Sequence, residues 1–453
     1  MQREKFGTRL GFILMSAGCA IGVGNVWKFP YLAGENGGGA FVLIYLICLI
    51  LLGIPVMVVE FTLGRASQKS PVRLYQALEK PGHKWHIHGY FAFIGNIVLM
   101  MFYTVVCGWM FYYFVQTARG KFTGLDTAGV GEAFNSLLAS PSTLVIYSAV
   151  VVVLGCLICA FSLQGGLEKI TKYMMLLLLA IMVVLAIHSF TMDGAKEGLS
   201  FYLKPDFSKV TGSVIVAAMN QAFFTLSLGI GAMAIFGSYI GKERSLLGES
   251  INVVILDTFV AIVSGLIIFP ACFTYGVDSA SGPSLIFVTL PNIFNNMSNG
   301  RLWGALFFLF MSFAAFSTIL AVFENISACI RDLTGLDRKK TSLILCIGLF
   351  LLSLPCALGF NIWSGITPFG EGTGIMDLED FVVSNCLLPL GSLIYVLFAV
   401  LKNGWGWDNF LKEANEGKGL KVKNWMRLYI TIGVPLIIIV IFVMGILTFF
   451  HFI

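Results

Sequence analysis

GCAIGVGN, residues 18–25, breaks the first long apolar segment of the chain, which runs from about residue 10 to about residue 32. FFTLSLGIG, residues 223–231, breaks the sixth apolar segment in a similar way. Backbone groups inside a membrane must be paired, so an unwound stretch persists only where neighbouring groups or a ligand satisfy it. Clustered glycines also allow close helix packing, and one break alone leaves both interpretations open. Two breaks favour a functional site.

The composition indicates that lipid surrounds most of the chain. Of 453 residues, 57% are hydrophobic and 12% are charged, whereas soluble domains carry about 25% charged residues. A soluble fold could not bury so much apolar surface. The 10 cysteines are scattered without a disulfide framework, and the C-x-x-C pair of Cys156 and Cys159 has no second pair, which favours packing over metal or redox chemistry.

Eleven apolar segments approach the length of about 20 residues that crosses the hydrocarbon core of a membrane. Their approximate bounds are residues 10–32, 40–63, 88–115, 142–161, 170–190, 214–239, 250–275, 302–330, 342–360, 381–400 and 428–450. The sequence therefore predicts an all-α membrane protein with 11 transmembrane helices. Because no small-residue cleavage site follows the first segment, we interpret that segment as a span rather than a signal peptide.

The interrupted segments are the first and the sixth, so each opens a block of five. Interrupted helices at corresponding positions of two halves indicate a transporter with inverted repeats and a site near the membrane midplane. We expect two five-helix inverted repeats with broken helices 1 and 6. Residues 1–190 would form the first repeat (spans 1–5), residues 191–400 the second (spans 6–10), and residues 401–453 an inner loop and span 11.

The loop charges predict the orientation. With the N-terminus inside, the inner segments hold 22 lysines and arginines and the outer loops hold 6. Cytoplasmic loops carry such an excess of positive charge. We therefore expect the N-terminus in the cytoplasm, the C-terminus outside, and a multi-pass protein of the cell inner (plasma) membrane.

Polar residues inside the predicted spans are candidates for function. Asp257 lies in the seventh span, where a carboxylate is costly unless it is paired. A bound cation would keep the carboxylate ionised. The structural alternative is that Asp257 pairs with a polar neighbour. Asn25 lies beside the first break. Lys28 needs an anionic partner, for which Glu379 and Asp380 are candidates.

The chemistry of an unwound helix suits a zwitterionic ligand with cations. Freed carbonyl groups can bind Na⁺, and freed N–H groups at the start of a half-helix can hold a carboxylate. Ser317 and Thr318 in the eighth span add hydroxyl groups, although such residues often bond back to a helix carbonyl. Tyr103 in the third span is a further candidate, although an aromatic side chain at the membrane interface is the commoner role for such a residue.

Three motifs resemble the neurotransmitter:sodium symporter family: GVGNVWKFPY (residues 22–31), ENGGGAF (residues 35–41) and FFTLSLG (residues 223–229). The resemblance extends over essentially the whole chain and points to an eleven-span variant similar to bacterial amino-acid transporters. It implies a sodium-coupled secondary active symporter that imports neutral hydrophobic or aromatic amino acids by alternating access. It also implies two Na⁺ sites, no organic cofactor, and as partners a small amino acid and the lipid bilayer, without nucleic acid.

The resemblance further implies a role for particular residues. The first sodium site would combine the substrate carboxylate with Ala20, Asn25, Thr225 and Asp257. The second would use carbonyl groups and hydroxyl groups of Gly18, Ile21, Ala314, Ser317 and Thr318. The substrate would contact Ala20, Val23, Gly24, Leu99, Tyr103, Phe224, Thr225, Ser227, Ile230, Thr318 and Val322. An outer gate would pair Lys28 with Asp380, and an inner gate would combine Arg3, Ser238, Tyr239 and Asp332.

Departures from the family pattern refine these expectations. Gly22 stands where monoamine carriers have aspartate, so the substrate should bring its own carboxylate. Asp257 stands where many members have asparagine, and a fixed negative charge there predicts chloride independence. Lys28 stands where the family usually has arginine, and an ammonium group cannot make the two parallel hydrogen bonds to a carboxylate that a guanidinium makes. Ile230 replaces phenylalanine of a leucine-selective relative, which suggests a roomier pocket.

Two other functions are compatible with parts of the sequence. A channel or a sodium-gated receptor could share this fold without turnover, and only accumulation of a substrate against its gradient would separate it from a transporter. An intramembrane enzyme would need a nucleophile with a base or a metal at membrane depth. His188 is solitary and Asp257 has no evident histidine partner, so the sequence does not favour an enzyme.

Overall fold

The computed structural model describes residues 3–276 and 285–450, and the regular structure among them is helical. The main helices, numbered here in chain order, are α1 (Arg9–Ala20), α2 (Gly24–Glu35), α3 (Gly39–Ser67), α4 (Pro71–Leu78), α5 (Ile87–Ala118), α6 (Thr127–Leu138), α7 (Pro141–Cys159), α8 (Leu163–Ser189), α9 (Ala195–Leu203), α10 (Gly212–Thr225), α11 (Ala232–Gly237), α12 (Leu246–Tyr275), α13 (Leu285–Asn295), α14 (Gly300–Thr334), α15 (Arg338–Gly359), α16 (Ile375–Val400), α17 (Trp407–Ala414) and α18 (Met426–Phe449).

Nine of the described helices are long and apolar enough to cross a membrane: α3, α5, α7, α8, α12, α14, α15, α16 and α18. The pair α1 and α2 passes the same test together, with a bend of 57° between its halves. These ten segments correspond to ten of the eleven predicted ones, and their bounds lie within seven residues of the predicted bounds. The remaining prediction, residues 214–239, falls on the short helices α10 and α11.

Burial separates a central group of helices from a peripheral group. In the most apolar stretch of α14, 83% of the residues are buried within the protein, compared with 33% in α18. The exposed faces of the peripheral helices carry large apolar side chains such as Leu343, Leu436 and Val440. Such faces fit a lipid environment, and α14 forms the centre of the bundle.

The first break lies between α1 and α2. The hydroxyl of Thr8 accepts a hydrogen bond from the Gly11 amide at 2.9 Å and caps the start of α1. At Ile21 the backbone becomes extended, with φ −69° and ψ 104°, and Gly24 opens a π-helical turn that begins α2. A Cβ atom on Gly22 would lie 2.2 Å from the Tyr103 hydroxyl oxygen, so α5 approaches the break closely enough to require glycine.

The second break lies between α10 and α11. Ser227, Gly229 and Gly231 have φ angles of 51°, 95° and 72°, in the left-handed region where a helix cannot continue. The carboxylate of Glu60, from α3, accepts hydrogen bonds from the amides of Gly229 at 2.6 Å and Met233 at 3.2 Å. A carboxylate at the start of a half-helix satisfies its free amides and is favoured by the helix dipole. The unwound backbone is thus paired within the protein.

Candidate functional site

The two breaks meet and enclose a pocket. The side-chain amide of Gln221 donates to the Gly24 carbonyl at 2.8 Å, and the Ser227 hydroxyl donates to the Cys19 carbonyl at 3.3 Å. The residues that line the pocket come from both breaks and from α5, α14 and α16; they are Ala20, Gly22, Gly24, Leu99, Tyr103, Phe224, Ser227, Ile230, Thr318, Val383 and Leu388.

One side of this pocket is polar. The Tyr103 hydroxyl accepts a hydrogen bond from the Val23 amide at 2.9 Å, and Tyr103 is buried. Gly22 and Thr318 lie beside the same hydroxyl group. This side therefore combines backbone and hydroxyl groups, with no charged side chain among the described lining residues.

The remaining wall of the pocket is apolar. The predicted residues Leu99 and Ile230 lie in it, together with Val383 and Leu388, which sequence reasoning missed. Three predicted substrate contacts are not among the lining residues. Val322 is buried in α14, and Thr225 bonds to Asp257. Val23 lines the neighbouring cavity rather than this pocket.

The side chains predicted for the first sodium site lie together. Asn25 donates through its side-chain nitrogen to Asp257 Oδ1 at 2.8 Å, and the Thr225 hydroxyl donates to Asp257 Oδ2 at 3.2 Å. All three residues are buried, and Ala20 lines the adjacent pocket. The oxygen atoms of Asp257, Thr225 and Asn25 suit a hard cation, because hard cations prefer oxygen ligands. Among the described residues, no group of three or more His, Cys, Asp or Glu could hold a metal ion.

The residues predicted for the second sodium site also come together, between α1 and α14. The Ser317 hydroxyl donates to the carbonyl groups of Ala314 at 2.9 Å and Ile21 at 3.2 Å. The Thr318 hydroxyl lies 3.4 Å from the Gly18 carbonyl and 3.2 Å from the Ile21 carbonyl. The cluster consists of neutral oxygens only, a donor set that fits a monovalent hard cation.

Some residues of the site were not predicted. Glu60 satisfies the second break, and its position inside a predicted span was a usable signal, because ionisable residues at membrane depth are functional candidates. Gln221 bridges the two breaks through its nitrogen, while its oxygen has no hydrogen-bond partner in the described part of the chain. Tyr45 lies beside Thr225 and Asp257. Gln221 and Tyr45 carried no signal in the sequence.

The pocket closes toward one face of the protein at what we call the Lys28 end, formed by Lys28, Asp380 and Phe224. Lys28 Nζ lies 4.0 Å from Asp380 Oδ2 and 4.0 Å from the centre of the Phe224 ring. Glu379, the alternative candidate for this pair, is instead buried beside Cys356. Lys28 and Asp380 line a cavity of about 240 Å³ next to the pocket. Phe224 lines both the cavity and the pocket, so its ring stands between them.

At the opposite end of α1 lies the Arg3 end, formed by Arg3, Ser238, Tyr239 and Asp332. Arg3 donates to Ser238 Oγ at 3.0 Å and to both oxygens of Asp332 at 3.2 and 3.3 Å. Its guanidinium lies 4.9 Å from the centre of the Tyr239 ring. The four residues predicted for an inner gate thus form one contact, which the amide of Ser70 extends by donating to Asp332 at 2.8 Å.

A pocket between two broken helices, with oxygen clusters beside it and an ion pair toward each face, defines a class: a helical transporter of small solutes. The chain belongs to the Sodium:neurotransmitter symporter family, whose model matches residues 3–125 and 133–452. It is therefore a sodium-dependent symporter of the membrane and not an enzyme, as the motifs predicted.

Relatives from several organisms match nearly the whole chain. The sodium-dependent transporter YhdH of Bacillus subtilis is 36% identical over 98% of this chain and 98% of its own. A sodium-dependent transporter of Methanocaldococcus jannaschii is 31% identical over 97% of this chain and 89% of its own. The crystal structure of MhsT in complex with L-phenylalanine superposes with a TM-score of 0.88 at 36% identity, covering 98% of this chain and 100% of that one.

Proposed function

We propose that this symporter imports neutral hydrophobic or aromatic amino acids, driven by Na⁺ and without a need for chloride. The observation that carries the proposal is the division of the pocket into an uncharged polar side and an apolar wall. An α-amino acid with an apolar side chain has the same division. The polar groups would hold its ammonium and carboxylate groups, and the apolar wall would surround its side chain.

Gly22 supports an amino acid over an amine as the cargo. No carboxylate among the described residues lines the pocket, so a lone amine would find no counter-charge there. An amino acid brings its own carboxylate, which the amides of Val23 and Gly24 and the hydroxyl of Tyr103 would bind. The ammonium would bind carbonyl groups of Ala20, Phe224, Thr225 and Ser227. MhsT, the structural relative, was crystallised with L-phenylalanine.

Two Na⁺ ions would accompany each substrate. The first would bind Ala20, Asn25, Thr225 and Asp257 and complete its shell with the substrate carboxylate. Each ligand would then raise the affinity of the other by the same factor, as linkage requires. The second Na⁺ would bind the oxygen cluster of Gly18, Ile21, Ala314, Ser317 and Thr318, which connects α1 to α14 and would hold the two together.

The fixed charge of Asp257 supports chloride independence. Two bound Na⁺ ions need compensating negative charge in a buried site, and Asp257 supplies one such charge. The bovine taurine transporter, 26% identical over 96% of this chain, is named as sodium- and chloride-dependent. We infer that an ionised carboxylate at residue 257 takes the place of a mobile anion here.

The proposed topology has eleven spans, with α10, α11 and the break between them as the sixth. Residues 1–190 and 191–400 would form the inverted repeats, and residues 401–453 would add a loop and a last span. The Arg3 end would face the cytoplasm of a cell whose plasma membrane holds the protein, with the C-terminus outside. Alternating access would then open the Lys28 end and the Arg3 end in turn.

The proposal is tested by uptake into proteoliposomes under an imposed Na⁺ gradient. All twenty amino acids would compete with a labelled substrate, with chloride present or replaced by gluconate. We expect accumulation against the gradient with neutral hydrophobic substrates and equal rates without chloride. Flux without accumulation would indicate a channel instead, and a requirement for chloride in the wild type would contradict the charge argument.

Two substitutions of Asp257 separate the parts of the proposal. Asp257→Ala should abolish sodium-dependent uptake, and an unchanged sodium affinity would refute the first sodium site. Asp257→Asn keeps the size of the side chain and removes its charge, so uptake should become dependent on chloride. Full activity of Asp257→Asn in gluconate would contradict the role of the charge while leaving the substrate assignment intact.

A further inference from the structure

Helix α16 contributes an unexpected part of the pocket. Its segment Phe381–Leu387 is π-helical, between α-helical portions of the same span. Such wider turns are rare and occur frequently at functional sites. Val383 lies within this segment and Leu388 follows it, and both line the pocket and are buried. The irregularity of α16 therefore coincides with its contact with the pocket.

Backbone contacts fix this part of α16 against the second break. A Cβ atom on Gly229 would lie 2.1 Å from the carbonyl oxygen of Leu388, and one on Gly391 would lie 2.0 Å from the carbonyl oxygen of Gly229. No side chain could be accommodated between the two backbones at these points. The backbone of α16 at Leu388 therefore packs directly against the second break.

The contribution of α16 to the pocket is apolar, because the polar residues of the π-helical segment bond elsewhere. The Ser384 hydroxyl donates to Asp380 Oδ1 at 2.6 Å, and Asp380 belongs to the Lys28 end. Asn385 donates to the carbonyl of Gly445 in α18 at 3.4 Å. Val383 and Leu388 remain as the residues of α16 that line the pocket.

We propose that Val383 and Leu388 are specificity-determining residues that set the size of the substrate side chain and exclude side chains with a polar end. A charged or amide group placed against this wall would lose its hydration without gaining a hydrogen bond from α16. The inference rests on the proposed function, because it assumes that the pocket holds the side chain of an amino acid.

The test is competition for sodium-dependent uptake in proteoliposomes by valine, leucine, phenylalanine, tryptophan and glutamine. Val383→Ala and Leu388→Ala should each raise the affinity ratio of tryptophan to valine by about tenfold, since one methylene in such a pocket changes discrimination by at least that factor. Val383→Ile should change the ratio in the opposite direction. Sodium affinity should stay as in the wild type, and glutamine should compete poorly throughout.

Leu390→Ala is the matched control, since Leu390 lies on the same helix and is exposed on the outside of the protein. It should leave the ratio unchanged. If wild-type uptake is sodium-dependent but all three pocket variants keep the wild-type ratio, the inference is wrong and the proposed function stands. If the wild type takes up none of these amino acids, both are wrong. A folding defect in an alanine variant would appear as a lower melting temperature. In that case the test rests on Val383→Ile, which should lower the affinity ratio of tryptophan to valine.

Discussion

The two ends of the transport path are closed by different chemistry. At the Arg3 end, the side chains of Arg3 and Asp332 are 13% and 18% exposed and lie 3.2 Å apart. At the Lys28 end, Lys28 and Asp380 are 34% and 42% exposed and lie 4.0 Å apart. Exposed ion pairs contribute about 0–1 kcal/mol, whereas breaking a buried one by removing a partner costs about 3–5 kcal/mol. The Lys28 end should therefore open more readily than the Arg3 end.

A buried network enlarges this difference. Glu324, from α14, is fully buried and pairs with Arg331 at 2.8 Å and with Arg338 at 2.7 Å. It also accepts a hydrogen bond from the Tyr239 hydroxyl at 2.6 Å, which connects it to the Arg3 end. Glu4 bonds to the same two arginines. At the Lys28 end, the ion pair has two further contacts among the described residues: the Phe224 ring beside Lys28 and the Ser384 hydroxyl bonded to Asp380. Opening the Arg3 end must rearrange several charges together.

Glu324→Gln should produce the largest effect. The variant removes the buried carboxylate that Arg331 and Arg338 share and leaves them paired with the partly exposed Glu4. We expect a loss of about 3–5 kcal/mol in stability. The melting temperature of the purified protein measures it. Glu416→Gln is the control, because Glu416 is a partly exposed partner of Lys242 and should shift the melting temperature little. Equal shifts in the two variants would contradict the importance of the network.

Arg3→Ala should have the next largest effect. It removes hydrogen bonds between charged groups, each of which contributes about 1.5–3 kcal/mol, and should favour the state open at the Arg3 end. Cys329, buried close to Arg3 and Asp332, provides a native reporter. Its labelling by a maleimide should become faster, with Cys329→Ser as the background control. Arg3→Lys keeps the positive charge but lacks the guanidinium that bonds to both oxygens of Asp332, so it should give an intermediate labelling rate. Unchanged labelling in both variants would refute a gate at this end.

Lys28→Ala should change substrate affinity by no more than about thirtyfold, because the exposed pair and the contact with Phe224 are each worth about 1 kcal/mol or less. Equilibrium binding of the substrate at low and high ionic strength measures the change. Lys209 offers a control, since its ammonium also lies over an aromatic ring, that of Phe201 at 5.9 Å, but it does not line the cavity. A loss of a hundredfold or more would mean that the two ends are alike.

Lys28→Arg should produce the smallest effect and sharpen the comparison. The guanidinium can contact both oxygens of Asp380, which the ammonium does not do, and we expect roughly twofold slower release of the substrate toward that end. Dissociation of a labelled substrate from the detergent-solubilised protein measures it. Faster release from the variant would show that Lys28 does more than pair with Asp380.

Much of the fold could be predicted because its causes are local in sequence. The glycines of residues 18–25 and 223–231 marked the breaks, and apolar length marked the spans. The family resemblance implied that Asp257 and Ser317 are sodium ligands, and both side chains contact residues at the breaks. The pairs at both ends were predicted, but Glu324 with Arg331 and Arg338 was not, because its partners meet only through the packing of separate helices.

The apolar wall of the pocket could be predicted only in part from the sequence. Val322 was predicted to contact the substrate and is not among the residues that line the pocket, whereas Val383 and Leu388 were not predicted and do line it. Val383 lies within the π-helical turn of α16, and this turn shifts the register of the residues that follow it, including Leu388. No residue type in Phe381–Leu387 signals such a turn. A pocket contact therefore depends on the backbone of a neighbouring helix rather than on the residue alone.

Gly22 has a consequence for how cargo preference can evolve on this scaffold. Any side chain at residue 22 would meet the Tyr103 hydroxyl at 2.2 Å and the Thr318 hydroxyl at 2.6 Å. Gly22→Asp alone would therefore disturb the hydrogen bond of Tyr103 to the first break before it offered a counter-charge to an amine. If the cargo is an amino acid, as proposed, a change to amines at this position requires the side chains of Tyr103 and Thr318 to move as well.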